Sequence, residues 1–328
     1  MCRRPIVALL SLILLVLPLG AKAEWVWSRQ VLSGVGKISA LAYGDGRFVA
    51  GTSTGYLLTS FDAENWTVAR PATRQINAVT FGQHRFVALV SGTSRIGVTV
   101  LYSGNGFSWS YADRVANRKR FQGSYNLTEV AAIDDRFVAL GSNSRAFAAS
   151  AHGNRWQYPL DGDRSRGLAS SVTGLTARRN YLLCSSLAGA TIQSSKDGAE
   201  WETEFQTTAR GPARGIAAQR PGRRVVCVGE NGLCLTSANG GKTWRAHPFG
   251  STDLLGVAWA GNLFLAFSDK GVFSTPSGPT WTRQLWVSRN ADHLRAVVGG
   301  AGRYVAAGAN GSKALIMVST GVPAPPSP

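Results

Sequence analysis

Acidic side chains are scarce in this 328-residue chain: 18 Asp plus Glu stand against 35 Lys plus Arg, and only 16% of all residues are charged. With 44% hydrophobic residues beside so few charges, the chain is neither a disordered tail nor a bundle of charged surface helices. Methionine occurs twice, and four cysteines are too few to staple a chain of this length. The four histidines are scattered without a metal-ligand spacing, so no metal and no cofactor is expected. After the amino-terminal segment no apolar run is long enough to span a bilayer. What is abundant is 38 Gly, 10 Trp and turn-forming polar residues, the composition of many tight turns.

The first 23 residues have the order of a secretory signal. Arg3 and Arg4 precede the apolar run Ile6–Leu19, and Ala21 and Ala23 place small residues at the positions a signal peptidase reads. That run is too short for a membrane anchor, and Cys2 lies ahead of it, where it cannot serve as a lipid-anchor cysteine. The expected mature protein is exported, periplasmic or extracellular. It loses three basic residues and no acid with the signal, leaving a net charge of +14. In an oxidising compartment Cys227 and Cys234, flanking a turn, could bridge adjacent strands or remain two buried thiols, while Cys184 reads as a small core residue.

The tryptophans mark an internal repeat. Trp27, Trp66, Trp109, Trp156, Trp201, Trp244 and Trp281 recur at intervals of 37 to 47 residues. Each unit carries a short apolar run such as Ile38–Leu41 or Ile76–Val79, a tight turn, and a second run such as Arg47–Ala50, Arg85–Ala88, Arg136–Ala139 or Arg303–Ala306. A third run ending in Ser or Thr, a loop and the Trp complete it. Four short strands per unit make a small antiparallel sheet that cannot bury both faces alone, and stacking such sheets around an axis gives a β-propeller. The expected fold class is all-β: seven four-stranded blades over residues 24–321, with 322–328 a Pro-rich disordered tail. The last unit lacks its Trp strand and the mature chain begins with a spare one, Trp25–Gln30, so the ring should close by pairing the two ends.

The loops before the tryptophans read Ser60-Phe-Asp62-Ala-Glu-Asn-Trp66, Ser103-Gly-Asn105-Gly-Phe-Ser-Trp109, Ser150-Ala-His152-Gly-Asn-Arg-Trp156, Ser195-Lys-Asp197-Gly-Ala-Glu-Trp201, Ser237-Ala-Asn239-Gly-Gly-Lys-Thr-Trp244 and Thr275-Pro-Ser277-Gly-Pro-Thr-Trp281. They resemble the Asp-box, or bacterial neuraminidase repeat, Ser-x-Asp-x-Gly-x-Thr-Trp, although Asp itself stands only at 62 and 197. The resemblance covers nearly all of the mature chain. It implies a propeller of the sialidase-like superfamily, similar in repeat style to the photosystem II assembly and stability factors. The box implies structure, not catalysis. The Arg-Ile-Pro sequence that such a sialidase carries is absent.

Two features point to function. In the third position of the first run the units have Ala40, Ala78, Gly174, Gly215, Gly256 and Ala296, but the third unit has Glu129. That carboxyl is either paired with Arg from the next blade or part of a glycosidase-like site, the alternative function. The second feature is basic charge in the loops that join one unit to the next: Arg70, Arg74, Arg114, Arg118, Lys119, Arg120, Arg164, Arg166, Arg210, Arg214 and Arg289, with Arg295 just inside a strand. On a propeller these share one face, which would hold an anionic partner such as an acidic protein segment, a polysaccharide or a membrane surface. Alternatively Arg is merely the solubilising residue, since Arg47, Arg85, Arg136, Arg223, Arg224 and Arg303 fall on the opposite face. Export argues against nucleic acid as partner. The expected function is a monomeric, non-catalytic binding or assembly scaffold.

Overall fold

The computed structural model describes residues 25–92, 99–112, 127–141, 145–148, 152–156, 166–169, 171–178, 181–187 and 189–319. The signal segment 1–23, the tail 322–328, and Arg114, Arg118, Lys119, Arg120 and Arg164 lie outside them. The described chain is all-β, without helices, and forms a β-propeller of antiparallel blades. No helix among the described residues is long and apolar enough to cross a membrane.

In chain order the first sheet contains Ile38–Gly44, Arg47–Thr52, Leu57–Ser60 and Thr67–Ala69, each strand paired with the next. The second runs from Ile76–Gly82 to Ser110–Tyr111, the fourth from Val172–Arg178 to Glu202–Phe205, the fifth from Ala213–Ala218 to Arg245–Ala246 and the sixth from Gly256–Trp259 to Thr282–Trp286, all four-stranded. The third, Leu127–Ile133, Arg136–Gly141 and Arg145–Ala148, has three strands among the described residues. The seventh takes Asp292–Gly300, Arg303–Asn310 and Lys313–Ser319 from the end of the chain and Trp27–Leu32 from its beginning. Trp27 lies opposite Ser319 and Leu32 opposite Ala314.

The strand sequences follow from this stacking. The second strand of each sheet is sandwiched between neighbours on both faces, so it reads as a continuous apolar run rather than an alternating one. In Arg47–Thr52, Phe48, Val49 and Ala50 are all fully buried. Phe48 packs with Val305, Ala307 and Ile316 of the seventh sheet, while Val49 turns the other way to Ile76 and Phe86 of the second. Burial of one such side chain is worth about 1.5–3 kcal/mol. The fourth strands are the outer edge and are correspondingly open, with Val68 and Tyr111 exposed.

The turns before the tryptophans are built as their residues suggest. Asp62 Oδ1 accepts the N–H groups of Glu64 at 2.9 Å and Asn65 at 2.8 Å, Asn105 Oδ1 those of Phe107 and Ser108, and Asp197 Oδ1 that of Ala199. These bonds hold the Asp62 carboxyl well below the usual carboxylate range. The indole N–H then closes each loop onto the backbone: Trp66 to Ala63 O, Trp109 to Gly106 O, Trp156 to Gly153 O, Trp201 to Gly198 O and Trp244 to Gly241 O, all within 2.8–3.0 Å. The residue that offers its carbonyl has positive φ each time. Gly fills that place except at Ala63, φ 60°.

The sixth sheet departs from this pattern and corrects the cysteine pairing. Cys184, Cys227 and Cys234 are all free thiols. Strand register sets Cys234 opposite Val228 and Cys227 opposite Leu235, one residue out of step, so the two sulfurs fall on opposite faces of the sheet. Cys227 faces the core shared with the fourth sheet. Cys234 faces the sixth, where the Trp281 indole donates to its Sγ at 3.4 Å and its thiol donates to Gly278 O at 3.6 Å. The sulfur thus sits between the indole and the carbonyl that meet directly at the five preceding Trp turns. Burial pushes all three thiols up, Cys234 to about 11.

Candidate functional site: the linking-loop end and the central channel

Backbone bonds show which loops share an end. The loops joining consecutive sheets bond to the turns between second and third strands: Ser53 N to Lys37 O, Ala72 N to Gly55 O, Ser91 N to Gln75 O, Glu230 N to Pro212 O and Val287 N to Lys270 O. The Trp turns lie at the opposite ends of the strands. The linking-loop end therefore carries Arg70, Arg74, Arg210, Arg214 and Arg289, with the exposed Arg295 at the channel mouth.

Most of their partners are uncharged. Arg70 lies over the Tyr56 ring at 5.0 Å, Arg74 reaches Ser91 O, and Arg210 reaches Asn231 O at 2.8 Å. Arg214 alone of this group is ion-paired, its Nε 2.8 Å from Glu230 Oε1. The described acids at this end are already engaged: Asp253 accepts Asn231 N, Asp269 bonds His293, and buried Asp292 holds Arg29. At the Trp-turn end Arg47 pairs with Asp45, Arg136 with Asp135 and Arg303 with Glu64. Both ends thus mix paired and unpaired arginines: among the described residues Arg85, Arg178, Arg223 and Arg224 at the Trp-turn end form no ion pair.

Arg166 does not belong to this set. Its backbone bonds to Ala199 and Trp201 and its guanidinium pairs with Glu200 at 3.1 Å, which puts it beside a Trp turn. Sequence order alone placed it in a linking loop. The chain returns along the fourth sheet before entering it, held by Gln193, whose side chain bonds Gly167 O and Ala169 N.

The first strands of all seven sheets line a cavity of about 460 Å³ at the centre. A β-bulge falls on the second residue of the first strand in five of them, at Ser39, Asn77, Thr128, Thr173 and Arg214, and on the fourth, Arg295, in the seventh sheet. A bulge re-aims its side chain, and here the polar ones tie a sheet to the next: Ser39 Oγ to Ile76 O at 2.6 Å, Asn77 Nδ2 to Leu127 O at 2.8 Å and Thr173 Oγ1 to Ala213 O at 2.9 Å. Thr128 Oγ1 is buried and makes no such bond. Nothing in the sequence marked these residues beyond their polarity in an apolar run.

Among the described residues Glu129 is the only acid lining the cavity. The expected pairing with Arg from the next blade is not formed: among the described residues no ion pair or hydrogen bond reaches the carboxyl. The arginines that share the cavity are spent elsewhere or stand at its mouth. Arg214 holds Glu230, Arg220 donates to Ala177 O at 2.7 Å and Ala132 O at 3.4 Å, and Arg295 is exposed. Glu129 keeps a little surface open to the cavity but is enclosed by protein on its other sides, and burial alone pushes its carboxyl up to about 8. A second cavity of about 290 Å³ opens at the Trp-turn end between Asp134, Arg178 and Arg220, where Arg178 is already bound to Gly222 O and the Tyr181 hydroxyl. No group of three or more His, Cys, Asp or Glu among the described residues could hold a metal ion.

No family model and no curated protein matches this sequence. Solved structures do. The chain is similar to YCF48 bound to D1 peptide, with 15% identity, a TM-score of 0.67, and 89% of this chain and 94% of that one covered. It is similar to YCF48 from Cyanidioschyzon merolae, with 15% identity, a TM-score of 0.65 and coverage of 88% and 98%. The WD40 β-propeller domain of Doa1 matches at 13% identity and a TM-score of 0.64, over 88% and 95% of the two chains. At these identities the likeness is one of fold, the β-propeller.

Proposed function

We propose that this chain is an exported, non-catalytic binding or assembly scaffold that holds an acidic segment of a protein partner on its linking-loop end. In this reading residues 1–23 are a cleaved signal and the Trp turns are Asp-boxes. The seven sheets form a seven-bladed ring closed through the strand Trp27–Leu32. The ring is supported by the contacts of Ile38–Gly44 with both Ile76–Gly82 and Asp292–Gly300.

The observation that carries the function is the set of guanidinium groups gathered at the linking-loop end with uncharged partners. Among the described residues Arg70, Arg74, Arg210 and Arg295 form no ion pair, and Arg289 meets the Asp292 carboxylate, which Arg29 already holds, only through longer-range attraction. Uncompensated guanidinium groups around a concave mouth concentrate positive potential and suit bidentate capture of carboxylates. A similarly folded protein, YCF48, has been solved with a D1 peptide bound, which agrees with a peptide partner.

The test uses a fluorescent Glu-rich peptide as probe. Replacing Arg210, Arg289 and Arg295 together with Glu is expected to weaken its binding at least tenfold and to flatten the salt dependence. Replacing Arg47 and Arg303 with Glu should change neither. Equal losses from the two sets would remove the linking-loop end as the binding face.

A further inference from the structure

The junction between the third and fourth sheets is unlike its neighbours at the channel wall. Across the first three junctions that carry a small polar residue at the bulge and have it bonded, Ser39, Asn77 and Thr173 reach the first carbonyl of the following sheet. Thr128 occupies the same place and its hydroxyl is left buried without a partner. The adjacent position normally holds the smallest residues for a steric reason. A Cβ on Gly174 would stand 2.9 Å from Ile216 N, and one on Gly215 2.9 Å from Gly256 Cα. At that position the third sheet carries a full carboxylate side chain, Glu129. Among the described residues the third sheet therefore presents an unpaired carboxyl to the cavity, with an unbonded hydroxyl buried beside it.

Buried polar groups without partners cost about 1–3 kcal/mol each when neutral and more when charged. Both groups can accept hydrogen bonds, and an ionised Glu129 would offer the only negative charge in the cavity. Among the described residues no cation is placed to meet it: Arg214 and Arg220 are committed and Arg295 stands at the mouth. On the strands packed against Leu127–Ile133, the charged groups Arg85, Arg136 and Arg178 are engaged by Tyr102, Asp135 and Gly222 respectively.

We propose that Glu129 and Thr128 form a subsite in the channel wall for a guanidinium or primary ammonium group, which supplies the cation and the donors that the wall lacks. The subsite goes beyond the capture of an acidic segment and stands without it. The cation comes either from a free polyamine-like molecule or from a side chain of a protein partner that enters the channel.

Because burial pushes the empty Glu129 carboxyl up to about 8, seating a cation on it at pH 7 is expected to expel a proton to solvent. The experiment is calorimetric titration at pH 7 in two buffers of different ionisation enthalpy. Agmatine is the free probe and acetyl-Gly-Arg-Gly-amide the peptide probe. We expect one of them to bind with release of about one proton, and binding to weaken at least tenfold in Glu129→Gln and severalfold in Thr128→Val. The tighter probe names the source. Glu129→Gln removes a buried carboxyl that lacks a partner, so the fold should persist, and its unfolding transition is measured alongside. Failure of both probes to bind, binding indifferent to Glu129→Gln, or proton uptake in place of release would each overturn the subsite. The Glu-rich peptide should bind Glu129→Gln as it binds the natural protein, so loss of one activity is separable from loss of the other.

Discussion

The Arg29 guanidinium grips the Asp292 carboxylate with two parallel hydrogen bonds, Nε to Oδ2 and Nη2 to Oδ1, both 2.8 Å long, across 263 residues of sequence. Arg29 lies in the strand from the start of the described chain and Asp292 in the first strand of the same, seventh sheet. Asp292 is fully buried and also accepts from Asn310 Nδ2 at 2.6 Å. The fork therefore fastens the amino-terminal strand to the carboxy-terminal part of its sheet, in addition to the backbone ladder opposite Lys313–Ser319.

Arg29→Met should cost about 3 kcal/mol at pH 7, because it strands a buried carboxylate. The Arg29 hydrogen bonds hold the Asp292 carboxyl below its usual value. A depressed folded value contributes stability that is complete above the unfolded value, near pH 4, and is lost as pH falls through the folded one. The deficit of Arg29→Met relative to the natural protein should accordingly shrink in acid. Urea unfolding at pH 7 and pH 3 measures both, and an equal deficit at the two values would contradict this account.

Cys234 serves the Trp281 turn rather than a disulfide. Thiol-specific reagents should leave Cys184, Cys227 and Cys234 unreacted in the folded protein and modify them on unfolding, since burial suppresses the thiolate. Cys234→Ala should cost about 1–2 kcal/mol through the lost acceptor and the small cavity. It should also shift the fluorescence of Trp281, whereas Cys184→Ala should not. Stability that falls in reductant would instead reveal a bridge.

The close approach of the inner strands sets a steric limit that one methyl group tests. Gly215→Ala places its Cβ 2.9 Å from Gly256 Cα and 3.1 Å from Val257 N, both backbone atoms with little room to move. A loss of about 1–3 kcal/mol is expected. Gly104→Ala, where nothing lies within 4 Å, should be near neutral in the same urea titration. Equal effects would mean that the fifth and sixth sheets are not packed this closely.

Much was legible in the chain because a propeller repeats. The Trp intervals, the apolar second strands and the Ser-x-Asp/Asn-x-Gly turns are local signals. Each is set within one unit by strand burial, by an oxygen accepting nearby N–H groups, or by a residue with positive φ. Those residues alone determined an all-β chain of small stacked sheets and the turn chemistry at Asp62, Asn105, Asp197 and Asn239. Tertiary structure decided everything that depends on what another sheet presents. A shift of one residue in register separated Cys227 from Cys234, a returning segment carried Arg166 to Glu200, and the fork of Arg29 found Asp292 at the far end of the chain. The solitude of Glu129 is of the same kind. A sequence states which charges exist, but whether a carboxyl meets a guanidinium is settled by distances between strands that the chain order does not contain.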